Sequence, residues 1–160
     1  MRGAPLTAVD RWRVRFMRLA CEVATWSKDP DRGVGAVVVT PDGRQFSAGY
    51  NGLPRGVDDS PDRLHDRDLK LALTVHAEVN AVINSPFDTR GCSLFTTCHP
   101  CVACACVIIQ AGVVAVYYRR GPGDSTPEGS RSRWHFSWGQ SFDLLSEAGV
   151  LVLRVDAQTA

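Results

Sequence analysis

The chain has 160 residues, 44% of them apolar, and its 18 basic and 17 acidic side chains leave a formal net charge of +1. That length and balance suit one soluble globular domain spanning residues 1–160, without the broad positive field that a nucleic-acid backbone recruits. No apolar run reaches the roughly 18–20 residues of a membrane span, and Met1-Arg2-Gly3-Ala4-Pro5 leads into no apolar signal core, so a cytoplasmic location is expected.

The first helix is expected from about Val9 to Ser27, because Trp12, Phe16, Leu19, Val23 and Trp26 recur at steps of four and three. Thr7 or Asp10 can cap its start, and Ser27-Lys28-Asp29-Pro30 ends it. Gly35–Thr40 reads as a buried strand, Pro41-Asp42-Gly43 as a turn, and Gln45–Tyr50 as the return strand of a hairpin. From Leu53 to Leu69 the chain is polar, with Asp58, Asp59, Asp62, Asp66 and Asp68 close together, and reads as a solvated loop. Helical spacing resumes with Val75, Val79, Val82 and Ile83. Ser93–Thr97 is a third strand, and Cys101–Ala111 a helix closed by Gly112. Val113–Tyr118 is a fourth strand, and Arg119–Arg133 a loop rich in Gly, Pro, Ser and Arg. A last helix places Trp134, Trp138, Phe142 and Leu145 on one face and stops at Gly149, before a strand at Val150–Val155. The order α-β-β-α-β-α-β-α-β gives an α/β layered domain with a mostly parallel second half.

Five of the six cysteines (Cys92, Cys98, Cys101, Cys104 and Cys106) fall within fifteen residues, which points to metal or catalytic chemistry more than to a disulfide framework. Pro100-Cys101-Val102-Ala103-Cys104 brings two thiolates within reach of one tetrahedral zinc, and His76 supplies a third ligand from another helix. Both motifs open helices, where the positive dipole end favours thiolates. Three protein ligands leave the fourth position open, as in a catalytic site, and zinc lowers the pKa of bound water to about 7. Glu78, two residues from His76, is placed to take a proton from that water and return it to a leaving group. Each residue alone has a plainer role, as a redox pair, a packed histidine or a solvated glutamate. Together they match the His-x-Glu plus Pro-Cys-x-x-Cys pattern of zinc deaminases. Cys98 and Cys106 read as packed small residues, Cys21 and Cys92 as core, and His99 as a residue that can line the pocket.

From Arg18 to Arg154 the chain resembles the deoxycytidylate (dCMP) deaminases. The likeness rests on Gly35-Ala36-Val37-Val38-Val39, Gly49-Tyr50-Asn51-Gly52-Leu53-Pro54-Arg55-Gly56, His76-Ala77-Glu78-Val79-Asn80-Ala81, Pro100–Ala105 and Ile108–Gly112. It implies a three-layer α/β/α sandwich around a five-stranded mixed sheet, one catalytic Zn2+ per chain, and hydrolysis of dCMP to dUMP and ammonia for thymidylate synthesis. On that resemblance Glu78 protonates N3 of the cytosine and then the departing amine, and Asn51, Asn80, Ala77 and Tyr118 contact the substrate. Asn51 at a strand end suits a sugar hydroxyl, and Asn80, four residues after His76, is expected on the same helix face. Gly52, Arg55, Arg119 and Arg120 are candidates for phosphate or effector contacts, with Arg131 and Arg133 bordering the same loop. The Gly49–Gly56 stretch resembles the effector segment of regulated members, which implies a homo-oligomer, a hexamer by preference, switched by dCTP and dTTP with Mg2+.

The zinc motif is shared with tRNA adenosine, guanine and riboflavin-pathway deaminases. Cys98-His99 stands where an apolar or aromatic pair is common, and Cys106 where a lysine is usual. A modified substrate such as 5-methyl-dCMP, a tRNA adenosine-type polynucleotide deaminase, and a catalytically silent zinc module are therefore the alternatives.

Overall fold

A computed structural model describes residues 7–119 and 133–155. Helix α1 (Ala8–Ala24) starts in a capping box, in which Thr7 Oγ1 accepts from the Asp10 N–H and the Asp10 carboxylate accepts from the Thr7 N–H. The two candidate caps therefore act together. The buried line of α1 is Val14, Met17, Ala20 and Val23, while Trp12 and Trp26 are exposed. This corrects the expected stripe at its two tryptophans, while Val23 is buried and Phe16 and Leu19 are half-buried against the core. The physical reason is closeness, because a Cβ on Gly35 would stand 2.1 Å from the Ala20 carbonyl oxygen. Only small or pliable side chains fit along such a seam, and the rings splay to its sides.

Strand β1 (Gly35–Val39) is buried along its whole length. It pairs antiparallel with β2 (Phe46–Tyr50), from Gly35↔Tyr50 to Val39↔Phe46, and antiparallel with β3 (Ser93–Thr96) on its other side. Strands β3, β4 (Ala115–Tyr118) and β5 (Leu151–Arg154) run parallel, giving a five-stranded mixed sheet in the order β2-β1-β3-β4-β5. Alternation along the strands sorts the two faces. Val37, Val39, Phe95 and Tyr117 pack with α1. Ala36, Val38, Leu94 and Val116 pack with α4 (Ala77–Ile83), α5 (Val102–Gln110) and α6 (Arg133–Glu147). The three-layer α/β/α arrangement is the one the resemblance implied.

The segment expected as a solvated loop carries two short helices, α2 (Pro61–His65) and α3 (Arg67–Leu73). Their start signals are local: Pro61 in the first turn, and an Asp66 carboxylate accepting from the Asp68 and Leu69 N–H groups. Apolar periodicity misses them because they are too short to show it. Together they bury one residue, Lys70.

Helix α4 lies against β2 as closely as α1 lies against β1, since a Cβ on Gly49 would stand 2.3 Å from the Ala81 nitrogen. Ala77, Glu78 and Ala81 are its buried residues, and Ile83 faces solvent. Asn80 and Asn84 donate to the carbonyls of Tyr50 and Ala48, at 2.8 and 3.0 Å. Four helical residues advance about 6 Å and two strand residues about 6.7 Å, so the two amides match two carbonyls that point the same way. Among the described side chains of α6 the buried ones are Ser141 and Leu145, while Phe142, expected on one face with Leu145, is exposed. Among the described residues, no helix is long and apolar enough to cross a membrane.

Gly35→Ala and Gly49→Ala are expected to lower unfolding free energy by about 1–3 kcal/mol or more, as overpacking does. Gly139→Ala, in open space on α6, should leave stability unchanged or raise it by up to about 1 kcal/mol. Denaturant unfolding of the three variants checks this, and equal midpoints for all three would refute the close-packed seams.

Candidate active site

Two helix starts converge beneath the end of β3. His76 is the N-cap of α4, with φ −72° and ψ 153°, and Cys101 is the N-cap of α5, with φ −78° and ψ 172°. Neither side chain caps its own helix, so both point away and toward each other. His76 Nδ1 lies 3.2 Å from Cys104 Sγ and 3.5 Å from Cys101 Sγ, and the three donor atoms all fall within 4.8 Å of one another. Zinc–sulfur and zinc–nitrogen bonds of about 2.3 and 2.05 Å at tetrahedral angles give N···S edges of about 3.6 Å. The cluster therefore has the donor set and the spacing of a zinc site with one position open. No second such group stands among the described residues, and His65 Nδ1 is engaged by the Pro61 carbonyl at 2.8 Å.

Protons are shared within this cluster. A hydrogen bond from Cys104, with further help from His76, lowers the Cys101 thiol to about 4 against the pull of burial. Cys104 is pushed up by its hydrogen bond to Cys101 and by burial, and His76 is raised by its hydrogen bond to Cys101. Glu78, 3% exposed, has its carboxyl raised above the ordinary range by burial, with opposing contributions from its own backbone N–H and from His76. Its Oε2 lies 3.5 Å from Cys104 Sγ, and its Oε1 lies 3.1 Å from Thr96 Oγ1 at the end of β3. The group opens into a cavity of about 340 Å³, the size of a small-molecule site.

The family model for the cytidine and deoxycytidylate deaminase zinc-binding region matches residues 10–120. The chain belongs to this family. It is 41% identical over 144 residues to an uncharacterised deaminase from the luxG 3′ region of Aliivibrio fischeri, covering 90% of this chain and 93% of that one. It is 36% identical over 132 residues to human deoxycytidylate deaminase, covering 79% of this chain and 74% of the human one. Its fold matches the dCMP deaminase of cyanophage S-TIM5, solved in complex with dCMP and dUMP, with a TM-score of 0.67 and 26% identity over 94% of this chain and 99% of the phage enzyme.

Within this deaminase, the structure brings together His76, Glu78, Cys101 and Cys104, and adds Asn51 and Ala77 to the cavity lining. Asn80 is not part of that lining. His76 is an extended N-cap, so the i, i+4 relation that placed Asn80 beside it does not apply, and the Asn80 amide covers the β2 edge instead. Tyr118 is also outside the lining and meets the cavity through His99, ring edge to ring face at 4.8 Å. Gly52 exchanges two backbone hydrogen bonds with Val75, and Arg55 donates to Asn84 Oδ1. The Arg119 side chain reaches Cys21 Sγ, at 3.3 Å. Arg120, Arg131 and the Arg133 side chain lie outside what the structure describes. Of the cysteines read as packed, Cys92 is buried, Cys106 is exposed and Cys98 lines the cavity beside His99.

Sequence reasoning passed over the opposite wall, formed by Asp29, Asp31, Arg32, Arg67 and Lys70, with Trp138 from α6. Asp29-Pro30 reads from the sequence as a helix stop, and Lys70, just past the polar Leu53–Leu69 stretch, carries no signal of its own. The available signal was the clustering of both signs of charge on the two segments flanking Gly35–Tyr50, which becomes meaningful only once the fold juxtaposes them.

Zinc uptake is expected at one ion per chain, and Cys101→Ala or Cys104→Ala should abolish or strongly weaken it. Cys104 and His76 hold their protons above their ordinary values and must lose them to bind a cation, whereas Cys101, at about 4, is already ionised near neutrality. Uptake at pH 7 should thus release about one to two protons, and affinity should fall as pH is lowered. Calorimetry in buffers of different ionisation enthalpy measures this. Uptake without proton release, or full uptake by either alanine variant, would contradict the assignment.

Proposed function

We propose that this chain hydrolyses dCMP to dUMP and ammonia, with His76, Cys101 and Cys104 holding zinc and Glu78 moving the proton. The observation that carries the reading is a three-ligand zinc set, one position short of closure, beside a carboxyl that is almost wholly buried. A zinc ion held there supplies a water whose pKa is brought down toward 7. Hydrolysis forms a C4–O bond and breaks the C4–N bond of the amine. It also needs one group to accept a proton from water and deliver it first to N3 and then to the leaving nitrogen.

Glu78 suits that task. Burial raises its pKa and brings it nearer to working pH, where a general acid–base group is most effective. Thr96 suits it as a partner. Its hydroxyl lies 3.1 Å from both Glu78 Oε1 and the Cys98 carbonyl, and it carries a single proton. It can donate to an ionised Glu78, or donate to Cys98 and accept from a protonated Glu78. Either state of the shuttle therefore keeps a hydrogen bond.

The nucleotide reading draws on the cavity wall away from the metal. Both protons of Asn51 Nδ2 are directed at protein acceptors, the Arg32 carbonyl at 3.0 Å and Asp29 Oδ2 at 3.4 Å. Asn51 Oδ1 accepts from the Val34 N–H at 2.7 Å, which leaves it one lone pair. A sugar hydroxyl donating to that lone pair completes it. Ala77, in the first turn of α4, offers the base a backbone group at a helix end that lacks intrahelical partners. Arg32 and Arg67, which line the cavity, are the guanidinium groups at hand for the 5′-phosphate. On this reading the product supplies thymidylate synthesis. The effector reading, a homo-oligomer responsive to dCTP and dTTP with Mg2+, rests on the likeness of Gly49–Gly56 to the effector segment of regulated members; the Gly52–Val75 bridge ties that loop to the residue before His76.

Glu78→Gln is expected to keep zinc and lose about 10²–10⁴-fold in kcat, the usual contribution of a positioned acid–base group. Near-normal turnover would show that the proton moves by another route. dCMP should exceed deoxycytidine in kcat/KM by more than about tenfold, since a charge-assisted contact contributes about 1.5–3 kcal/mol. Equal efficiencies would mean that the phosphate is not recognised.

A further inference from the structure

Lys70 is 3% exposed, and its ammonium lies 2.8 Å from Asp29 Oδ1 and in contact with Asp31 Oδ2. A buried ammonium is costly unless paired, and here two carboxylates pair it. The two aspartates have different surroundings. Asp31 is 67% exposed, whereas Asp29 is 13% exposed. Asp29 also accepts from the backbone N–H groups of Asp31 and Arg32 at 2.9 and 3.3 Å, and its other oxygen faces Asn51 Nδ2. Burial pushes the Asp29 carboxyl up, but the Lys70 hydrogen bond and the two backbone donors outweigh it and hold the group ionised.

The Asn51 amide is oriented by the loop that follows Asp29: its NH2 donates to the Arg32 carbonyl at 3.0 Å, and its Oδ1 accepts from the Val34 N–H at 2.7 Å with one lone pair available. The ionised Asp29 holds that loop by accepting from the Asp31 and Arg32 N–H groups, and takes the second NH2 proton of Asn51 at 3.4 Å. Ser27 anchors the Asn51 main chain, donating from Oγ to its backbone carbonyl at 2.8 Å. We infer that Lys70 is a positioning residue for the nucleotide: through Asp29 it sets the orientation of Asn51, and so which group of the sugar the cavity accepts. This inference rests on the nucleotide reading above and names the residue behind one of its contacts. The Lys70 ammonium bonds Asp29 and Asp31, not the zinc ligands or Glu78, so its effect belongs to binding shared by ground and transition states, which moves KM and leaves kcat.

The test uses zinc-loaded wild type, Lys70→Met, Lys70→Arg, Asp29→Asn and Lys28→Ala, with dCMP kinetics, calorimetric binding of dUMP, and exchange of the Asn51 side-chain NH2 protons by NMR. Lys70→Met and Asp29→Asn should raise KM for dCMP and Kd for dUMP by about tenfold, with kcat within about twofold of wild type. Lys70→Arg, which keeps the charge, should recover most of the loss. Lys28→Ala, which removes an exposed pair with Asp59 on the same loop, should match wild type. The Asn51 NH2 protons should be protected in wild type and exchange quickly in Lys70→Met. A folded Lys70→Met with unchanged KM, Kd and exchange would overturn the inference. So would a loss confined to kcat, or a failure of both Lys70→Met and Asp29→Asn to fold, which would make the pair a stability element. If wild type neither deaminates dCMP nor binds dUMP, the nucleotide reading fails, while the exchange measurement still decides whether Lys70 orients Asn51.

Discussion

The site depends on keeping one carboxyl group away from water while three metal-binding atoms stand beside it. Glu78 can be buried because α4 presses onto β1 and β2 without intervening bulk, through Ala77, Ala81 and the bare backbone of Gly49. The same approach brings the start of α4 to the start of α5, where His76 and Cys101 leave their helices in extended conformation and turn inward. Removing a carboxylate from water is expensive unless it is neutralised or paired. The Thr96 hydroxyl serves both states, and a cation held by the neighbouring cluster would pair the ionised one. Close helix packing and proton chemistry are therefore one design problem in this chain.

The two sides of the cavity solve different electrostatic problems. On the metal side, sulfur and imidazole share protons that a cation displaces. On the other side Lys70, Asp29, Asp31 and Asn51 form a network in which the buried charges are paired and the amide of Asn51 is held in one orientation. A paired network of this kind gives definition more than net stability, since replacing buried ion pairs with apolar residues is often neutral. That suits the proposed role of this wall, which is to present a single Asn51 lone pair to the nucleotide sugar.

Much of this was legible in the sequence. His76-Ala77-Glu78 and Pro100–Cys104 carry their chemistry in residue types and short spacings, and local motifs survive folding unchanged. The hairpin, the parallel second half and the helix end at Gly112, with φ +70°, followed from equally local signals. The misreadings share a cause. Trp12 and Trp26 read as an apolar face by spacing, but the seam of α1 selects for smallness and the large rings lie beside it; Phe142 on α6 is likewise exposed, next to the buried Ser141 and three residues before the buried Leu145. Asn80 was placed by helical spacing counted from His76, a residue that is not itself helical. Lys70 and Asp29 lie 41 residues apart, and no pattern along the chain announces that they meet.

Zinc K-edge X-ray absorption of the loaded protein tests the central claim most directly, because it counts the metal's neighbours. Two sulfur atoms at about 2.3 Å and two lighter neighbours at about 2.0–2.1 Å are expected, one of them the imidazole of His76 and the other not from the protein. A shell of three or four sulfurs, with Cys98 or Cys106 closing the fourth position, would make the site structural and contradict the account.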